Sequence, residues 1–375
     1  MRRYVTQPPP DSFPLKTQFQ SPLKILITGI CGFVGSEIAL HLRRGQSSDQ
    51  LQIVGLDNLA RNGSWRNRQR LAELDIDVQH GDIRARTDIE AIGKVDWIID
   101  AAANPSVLAG VNGGSRKLLE DNLGGTINLL EHCREHGAGF VLLSTSRVYS
   151  IPPLAGLQVT AHDEAFVPDT SALPDGISAQ GVTEAFSTAA PVSLYGSTKL
   201  TSEQLALEYS HTFDFPVWIN RCGVMAGAGQ FGKADQGIFA FWLHSWREGR
   251  NLKYIGFGGH GHQVRDCLHP RDLTDLLVKQ LATECGDKAR IINVSGGVSS
   301  SRSLKQLSNW CGEHWSPAEV ASDHTPRPFD LPWVVLDHTL ATETWGWTPE
   351  TSTDQVLNEI ADFAETESNW IEFSR

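Results

Sequence analysis

Residues 24–45 read KILITGICGFVGSEIALHLRRG, and the reading of this stretch decides the fold. An apolar run, Lys24 to Thr28, ends in a glycine, which predicts a buried strand. The segment SEIALHLRRG after it has apolar residues at helical spacing and a glycine stop, so strand, tight turn and helix follow one another. The turn TGICGFVGS carries glycines at 29, 32 and 35. In that arrangement the backbone turns sharply, comes close to a pyrophosphate and packs the helix onto the sheet, while the helix N-terminus attracts the phosphate charge. A glycine trio by itself is equally what a left-handed glycine-rich turn looks like, so the surrounding pattern has to decide.

The pattern repeats outward. LQIVGLDN, residues 51–58, predicts a second strand with Asp57 at its C-terminal end. A carboxylate about twenty residues past the glycines accepts hydrogen bonds from both ribose hydroxyls of an adenosine and repels a 2′-phosphate, favouring NAD over NADP. Arg61 close by pulls the other way. Further strands, DVQHGDI (77–83), VDWIIDAAA (95–103) and GFVLLSTS (139–146), alternate with helical stretches such as LLEDNLGGTINLLEHCREHG (118–137). Strand and helix in alternation give an α/β protein with a doubly wound parallel sheet covered on both faces, and a dinucleotide seat at the strand C-termini.

A second chemical signal lies downstream in SLYGSTK, residues 193–199. On a helix, Tyr195 and Lys199 share a face. A cation near a phenol favours the phenolate and brings a poor base toward working pH. An isolated Y-x-x-x-K is also a common surface of an amphipathic helix. Here it follows a nucleotide-binding half and the strand end LSTSRVYS (143–150), where a parallel sheet presents catalytic groups.

Composition narrows the classes. The chain has 375 residues, 40% of them apolar, enough for one large core or two packed lobes without a disulfide or metal staple. Asp and Glu outnumber Lys and Arg by 44 to 32, a net charge of −12 with no concentrated basic patch, which argues against nucleic acid or an anionic membrane as partner. Cysteines at 31, 133, 222, 267, 285 and 311 show no paired spacing, as expected of reduced thiols and a cytoplasmic location. Residues 1–23, with a proline run and no continuous apolar segment, read as a flexible N-terminal arm rather than a signal or membrane span.

Together TGICGFVGS, LDN, GDI, STSRVY and YGSTK resemble the extended short-chain dehydrogenase/reductases, in particular the NAD-dependent nucleotide-sugar epimerases and dehydratases. The resemblance runs from about Lys24 to Trp347 and implies a Rossmann-type fold with a smaller C-terminal substrate-binding lobe. It implies that Tyr195 takes the proton from a sugar hydroxyl, that Lys199 holds the nicotinamide ribose and tunes the tyrosine, and that Thr145 shares the substrate hydrogen bond. Hydroxyls at 144, 145 and 146 leave that choice open, with Ser144 as a supporting neighbour. It also implies NAD contacts from Gly29, Gly32, Phe33, Val34, Gly35, Asp57, Asn58, Arg61, Asp82, Ile83, Ala102, Ala103, Asn122, Ser144, Tyr195 and Lys199. Three departures stand out. Ser146-Arg147 replaces the Asp-Glu with which 4,6-dehydratases remove water. Asp100 stands where the family often has histidine, which loosens the assignment of Ala102 and Ala103. Ser150 replaces the usual glycine after VY.

In the second half, GAGQFGKADQGIFAFW, GHQVRDCLHPRDL and INVSGGVSSSRSLKQL resemble the CDP-paratose 2-epimerase (CDP-tyvelose epimerase) subfamily. That similarity implies substrate contacts from Gln230, Arg265 and Arg327, the arginines clamping a diphosphate with forked, always-charged donors. The alternative is a structural arginine paired with Asp266 or Asp330. His260 and His262 have ligand-like spacing but no accompanying carboxylate or thiolate pattern, so a solvent loop is expected and no metal. Tryptophans 242, 246, 310 and 345 read as core, with stacking on a nucleobase as the alternative.

The expected organisation is a cofactor domain over 24–220, with a lid-like insertion at about 151–190, and a mainly substrate-binding lobe over 221–375. The expected reaction is a redox-neutral inversion. A sugar carbon, carbon 2 of a CDP-linked sugar by the resemblance, is oxidised and then reduced from its opposite face. The rivals are a UDP-sugar 4-epimerase or other nucleotide-sugar oxidoreductase of the same fold, and a noncatalytic dinucleotide sensor. The family resemblance further implies a homodimer or larger homo-oligomer.

Overall fold

A computed structural model describes residues 22–374, apart from 112, 234, 235, 284 and 285. The N-terminal arm and Asp235 of the DQG motif therefore lie almost wholly outside the described residues.

Seven strands form one sheet: β1 (Leu23–Thr28), β2 (Leu51–Asp57), β3 (Asp77–His80), β4 (Trp97–Asp100), β5 (Gly139–Thr145), β6 (Val217–Cys222) and β7 (Ile291–Val294). Their spatial order is β7-β6-β5-β4-β1-β2-β3 and every pairing is parallel. The order reverses between β1 and β4, which opens a crevice beyond the carboxyl ends of those two strands.

The longer helices are α1 (Phe33–Gly45), α2 (Gly125–His136), α3 (Ser193–Phe213), α4 (Ile238–Arg247), α5 (Pro270–Leu281), α6 (Leu304–His314) and α7 (Thr353–Thr366). Side chains of a strand point alternately to the two faces, and here both faces are dry. Ile25, Ile27, Ile53, Ile99, Val141 and Trp218 meet Ile38 and Leu42 of α1 and Leu273 and Leu277 of α5 on one side. Leu26, Val54, Ile98, Leu142 and Ile219 meet Leu129 and Leu130 of α2 and Ala206 of α3 on the other. This explains why the strands read as unbroken apolar runs rather than as polar–apolar alternation.

A second lobe has its own core, made by Phe239 and Leu243 of α4, Leu304 and Leu307 of α6, and Val356 and Ile360 of α7. The chain does not simply move into this lobe after residue 220, because α5 and β7 return to the large sheet. The segment expected to be a lid folds into a short helix, Ile151–Ala155, a hairpin, Val159–His162 with Ala165–Pro168, and a two-residue pair, Ile177–Ser178 with Gly181–Val182. It packs on Val264 and on residues 333–336, and backbone bonds tie it down: Val182 N–H to the Val335 carbonyl at 2.8 Å, and Phe166 N–H to the His262 carbonyl at 2.8 Å.

Trp242, Trp246 and Trp345 are buried in the cores and Trp310 packs against one of them, so the core reading of these residues holds. Five cysteines, 31, 133, 222, 267 and 311, are buried free thiols; Cys285 is outside the described residues. Among the described residues, no helix is long and apolar enough to cross a membrane.

Candidate active site

Each glycine of the first turn has a separate steric reason. Gly29 has φ +60°, and a Cβ there would lie 2.8 Å from the Cα of Ala102. A Cβ on Gly35 would lie 2.4 Å from the Gly29 carbonyl oxygen, so only glycine lets α1 start this close to the turn. Gly32 is different. A Cβ there would meet one atom, the Gly29 carbonyl oxygen at 3.1 Å, so the residue otherwise faces open space. Gly32 is also the N-cap of α1, and no side chain caps the helix. The N–H groups of Phe33, Val34 and Gly35 are therefore left for an outside acceptor, at the positive end of a helix of 13 residues. The apolar side chains of Phe33 and Val34 pack inward, against Gly227 and the sheet core respectively. A cradle open at Gly32 above an uncapped helix end fits a dinucleotide pyrophosphate.

Asp57 ends β2 beside this cradle. Its carboxylate accepts from the N–H of Cys31 and the N–H of Leu59, both at 2.8 Å. Burial pushes its pKa up, and these two backbone donors oppose the shift. Each oxygen keeps a lone pair for a ribose hydroxyl. Asn58 donates to Asp82 at 2.9 Å, and Asp82 is chelated by Arg84, whose guanidinium holds that carboxyl well below the usual range. Ile83 packs over Gly125, where a Cβ would come within 2.2 Å of it. The Arg61 guanidinium donates to the Phe231 carbonyl and to Gln236, joining the two lobes.

Asp100 occupies a fully buried position and accepts from the hydroxyls of Thr28 at 2.8 Å and Thr126 at 3.2 Å. Thr28 in turn accepts the N–H of Ala102 at 3.1 Å, which fixes the loop carrying Ala102 and the exposed Ala103. Asn122 accepts the Asn104 N–H at 2.7 Å and donates to Thr198 at 3.0 Å, so it ties that loop to α3. The carboxylate in place of histidine is thus a structural hub behind the crevice.

Around the tyrosine, the structure brings together Thr145, expected from the sequence, and Arg147, noted there as a departure. Tyr195 lies in the first turn of α3, with Thr145 beside it at the end of β5. Thr145 also accepts the N–H of Arg147 at 3.2 Å. Gly196 makes the approach possible, since a Cβ there would lie 2.2 Å from the Arg147 carbonyl oxygen. The one sequence signal for it was its place directly after Tyr195. Burial pushes the phenol up to about 12, and the opposing influences are Thr145 and Arg147. Burial lowers the pKa of Lys199, and the carboxylates of Asp100 and Glu203 oppose that shift. Ser144 is also diverted: its hydroxyl donates to the buried Glu203, which pairs with Arg221 at 2.7 Å. That pair continues through Tyr149 to Asn293, whose amide holds the Val182 carbonyl of the insertion at 2.8 Å.

Between the lobes, a cavity is lined by Arg147, Arg265, Arg302 and Arg327 against one carboxylate, Asp330. Arg265 pairs with Asp330 at 2.9 Å and donates to the carbonyls of Val264 and Leu331. Asp266 is not its partner, being taken up by Ser295 and the N–H of Val224. Arg302 is also paired, with Asp354 at 3.3 Å, so four cations meet two anions and a smaller local excess of positive charge remains, which suits a diphosphate. Gln230 packs against Gly237, which lines this cavity: its amide donates to the Met225 carbonyl at 2.7 Å, and its buried Oε1 has no partner among the described residues. His260 and His262 stack with ring centroids 5.6 Å apart, and among the described residues no group of His, Cys, Asp and Glu is placed to hold a metal.

Comparison with known proteins gives a family and a fold. The NAD dependent epimerase/dehydratase family model matches residues 25–295. CDP-paratose 2-epimerase of Salmonella typhi is 27% identical over 350 residues, covering 91% of this chain and 99% of that protein. UDP-glucose 4-epimerase of Corynebacterium glutamicum is 26% identical over 343 residues, covering 88% of this chain and 91% of that protein. Among solved structures, UDP-glucuronic acid 4-epimerase from Bacillus cereus, in complex with UDP-glucuronic acid and NAD, superposes with a TM-score of 0.71 at 21% identity, covering 92% of this chain and 99% of that one. This last likeness concerns the fold.

Proposed function

The chain belongs to the NAD-dependent epimerase/dehydratase family, and from that premise we propose that it inverts one carbon of a nucleotide sugar with no net redox change, carbon 2 of a CDP-linked sugar. Bound NAD supplies a hydride acceptor that afterwards serves as hydride donor. The glycine turn and the uncapped start of α1 receive its pyrophosphate, and Asp57 receives its ribose. Tyr195 takes the hydroxyl proton as the carbon is oxidised and returns it after reduction on the opposite face. Thr145, beside Tyr195, aligns the same hydroxyl. Arg265 and Arg327 hold the diphosphate while the sugar turns, and Lys199 orients the nicotinamide ribose.

The observation that carries this reading is the contact of the Arg147 turn with both Thr145, which accepts its N–H, and Gly196, next to Tyr195, while the Arg147 side chain lines the arginine-rich cavity. Dehydration needs an acid and a base beside the threonine. Here those positions are a hydroxyl and a guanidinium, which does not give up its proton at working pH. The CDP and carbon-2 assignments are supported by the Salmonella typhi relative, which spans nearly the same length. The similarity to UDP-sugar 4-epimerases favours the second reading, inversion at carbon 4.

Incubating the NAD-loaded protein with CDP-, UDP- and dTDP-sugars deuterated at carbon 2 tests both. A CDP-sugar inverted at carbon 2, with its deuterium retained and no NADH accumulating, is the expected product. Inversion at carbon 4 moves the assignment to the second reading; steady NADH formation or no turnover of any sugar overturns the proposal.

We also propose a homodimer. Ile127 on α2 and Phe213 on α3 are 36% and 45% exposed on helices that cover one face of the sheet, apolar area that a second copy would bury. Light scattering at micromolar concentration is expected to return twice the chain mass; the monomer mass rejects it.

A further inference from the structure

We propose that Arg147 is a positioning residue that latches the turn Arg327–Asp330 in a strained conformation beside the substrate cavity, and so sets how Arg327 meets the diphosphate. The inference rests on the reading of Arg327 as a diphosphate contact. It begins with a backbone outlier. The Asp330 N–H donates to the Arg327 carbonyl at 3.4 Å, closing a four-residue turn with Pro328 second and Phe329 third. Phe329 has φ +59°. Proline second and a positive φ third is the pattern of a type II turn, whose third position calls for glycine or asparagine because a Cβ there crowds the neighbouring backbone. This chain puts a phenylalanine there, so the turn keeps its shape only where its surroundings impose it.

Two arginines from different elements supply that constraint. Arg265, on the strand Val264–Asp266, donates to Asp330 at 2.9 Å and to the Leu331 carbonyl at 2.9 Å, which fixes the trailing end of the turn. Arg147, in the turn Ser146–Val148 after β5, donates from Nη1 to the carbonyl of Phe329 itself at 3.2 Å. The backbone of Arg147 is anchored in its own right. Its N–H donates to the Thr145 hydroxyl at 3.2 Å, and its carbonyl lies against Gly196, where a Cβ would come within 2.2 Å. The strained residue is thereby tied to the strand end that carries Thr145. Arg147, Arg265 and all four residues of the turn line the same cavity.

The residue type at 147 then has a reason. A carboxylate, as in the 4,6-dehydratases, has no N–H to give a carbonyl, whereas a guanidinium has only donors. Latch and strain oppose each other. Without Arg147 the turn is free to relax to a negative φ at Phe329, which turns its middle peptide over. With glycine in place of Phe329 the strain is gone, and the turn keeps its shape without the latch.

The first reading of the test needs no substrate. In the NAD-bound protein, amide hydrogen exchange over residues 325–331, followed by mass spectrometry, reports opening of the turn. In Arg147→Met this segment is expected to exchange about tenfold faster, with β1 and β4 unchanged. Adding Phe329→Gly is expected to bring it back to within about threefold of wild type. If Arg147→Met does not fold, Arg147→Gln, too short to keep the bond, carries the same comparison. The second reading is calorimetric titration with CDP and with UDP: Arg147→Met is expected to weaken the tighter of the two about tenfold with the NAD content unchanged. Unchanged exchange over 325–331 overturns the proposal, as does faster exchange throughout the protein, an increase that glycine fails to reverse, or a nucleotide affinity that does not move. If neither nucleotide binds the wild-type protein, the diphosphate reading of Arg327 falls, and the exchange result alone decides the latch.

Discussion

Tyr195→Phe is expected to lower turnover by about 10³-fold while the purified variant still carries NAD. The ring is buried, with 7% of its surface exposed, and phenylalanine keeps its packing. What is lost is one oxygen, beside Thr145, that the proposed reaction uses as its proton acceptor. NAD retention follows from distance in the fold: the glycine turn, the uncapped α1 and Asp57 belong to other elements and do not depend on the hydroxyl. The remaining activity of the wild-type protein should rise with pH, because burial pushes the phenol up to about 12 before cofactor and substrate arrive, and the deprotonated form is the one that accepts a proton. Turnover of the sugar nucleotide and the NAD released on denaturation are measured on one preparation. Turnover within tenfold of wild type removes Tyr195 from the reaction.

The second large effect is on stability. Glu203→Gln is expected to cost about 3–5 kcal/mol, read as a lower urea midpoint at unchanged slope. Glu203 is fully buried and Arg221 is 5% exposed, so the guanidinium would be left in the interior with a neutral partner. The carboxylate accepts from Nε at 3.1 Å and from Nη2 at 2.7 Å, and also from Ser144. Exchanging both partners for methionine should recover much of the loss, since an apolar pair of similar volume carries no unpaired charge. A single-variant cost below about 1 kcal/mol, the scale of an exposed pair, contradicts this account. The site feels the change too, because Glu203 is one of the two carboxylates beside Lys199.

Local chemistry was legible in order along the chain. The three glycines, Asp57 at a strand end, the alternating strands and the Tyr195–Lys199 spacing are each set by backbone stereochemistry or helix periodicity within a short window. The glycine contacts show why: Gly35 and Gly29 meet within one turn. Lys199 marks the limit of that reasoning. Helical spacing places it on the face of Tyr195, yet its electrostatic partners, Asp100 and Cys222, arrive from strands distant in sequence. Arg61 and Ser144 likewise have partners distant in the chain, Phe231 for one and Glu203 for the other.

What the sequence determined by itself was the sheet, the cofactor and the family of chemistry, because these depend on periodicity and on motifs whose residues are neighbours in the chain. Only the tertiary structure decided which charge faces which. It paired Arg265 with Asp330 rather than Asp266, turned Ser144 to Glu203, and packed the 151–190 segment on Val264 and residues 333–336. Coulomb interactions and desolvation act through space, between groups that the fold brings together from far apart in the chain, and no local pattern encodes those distances.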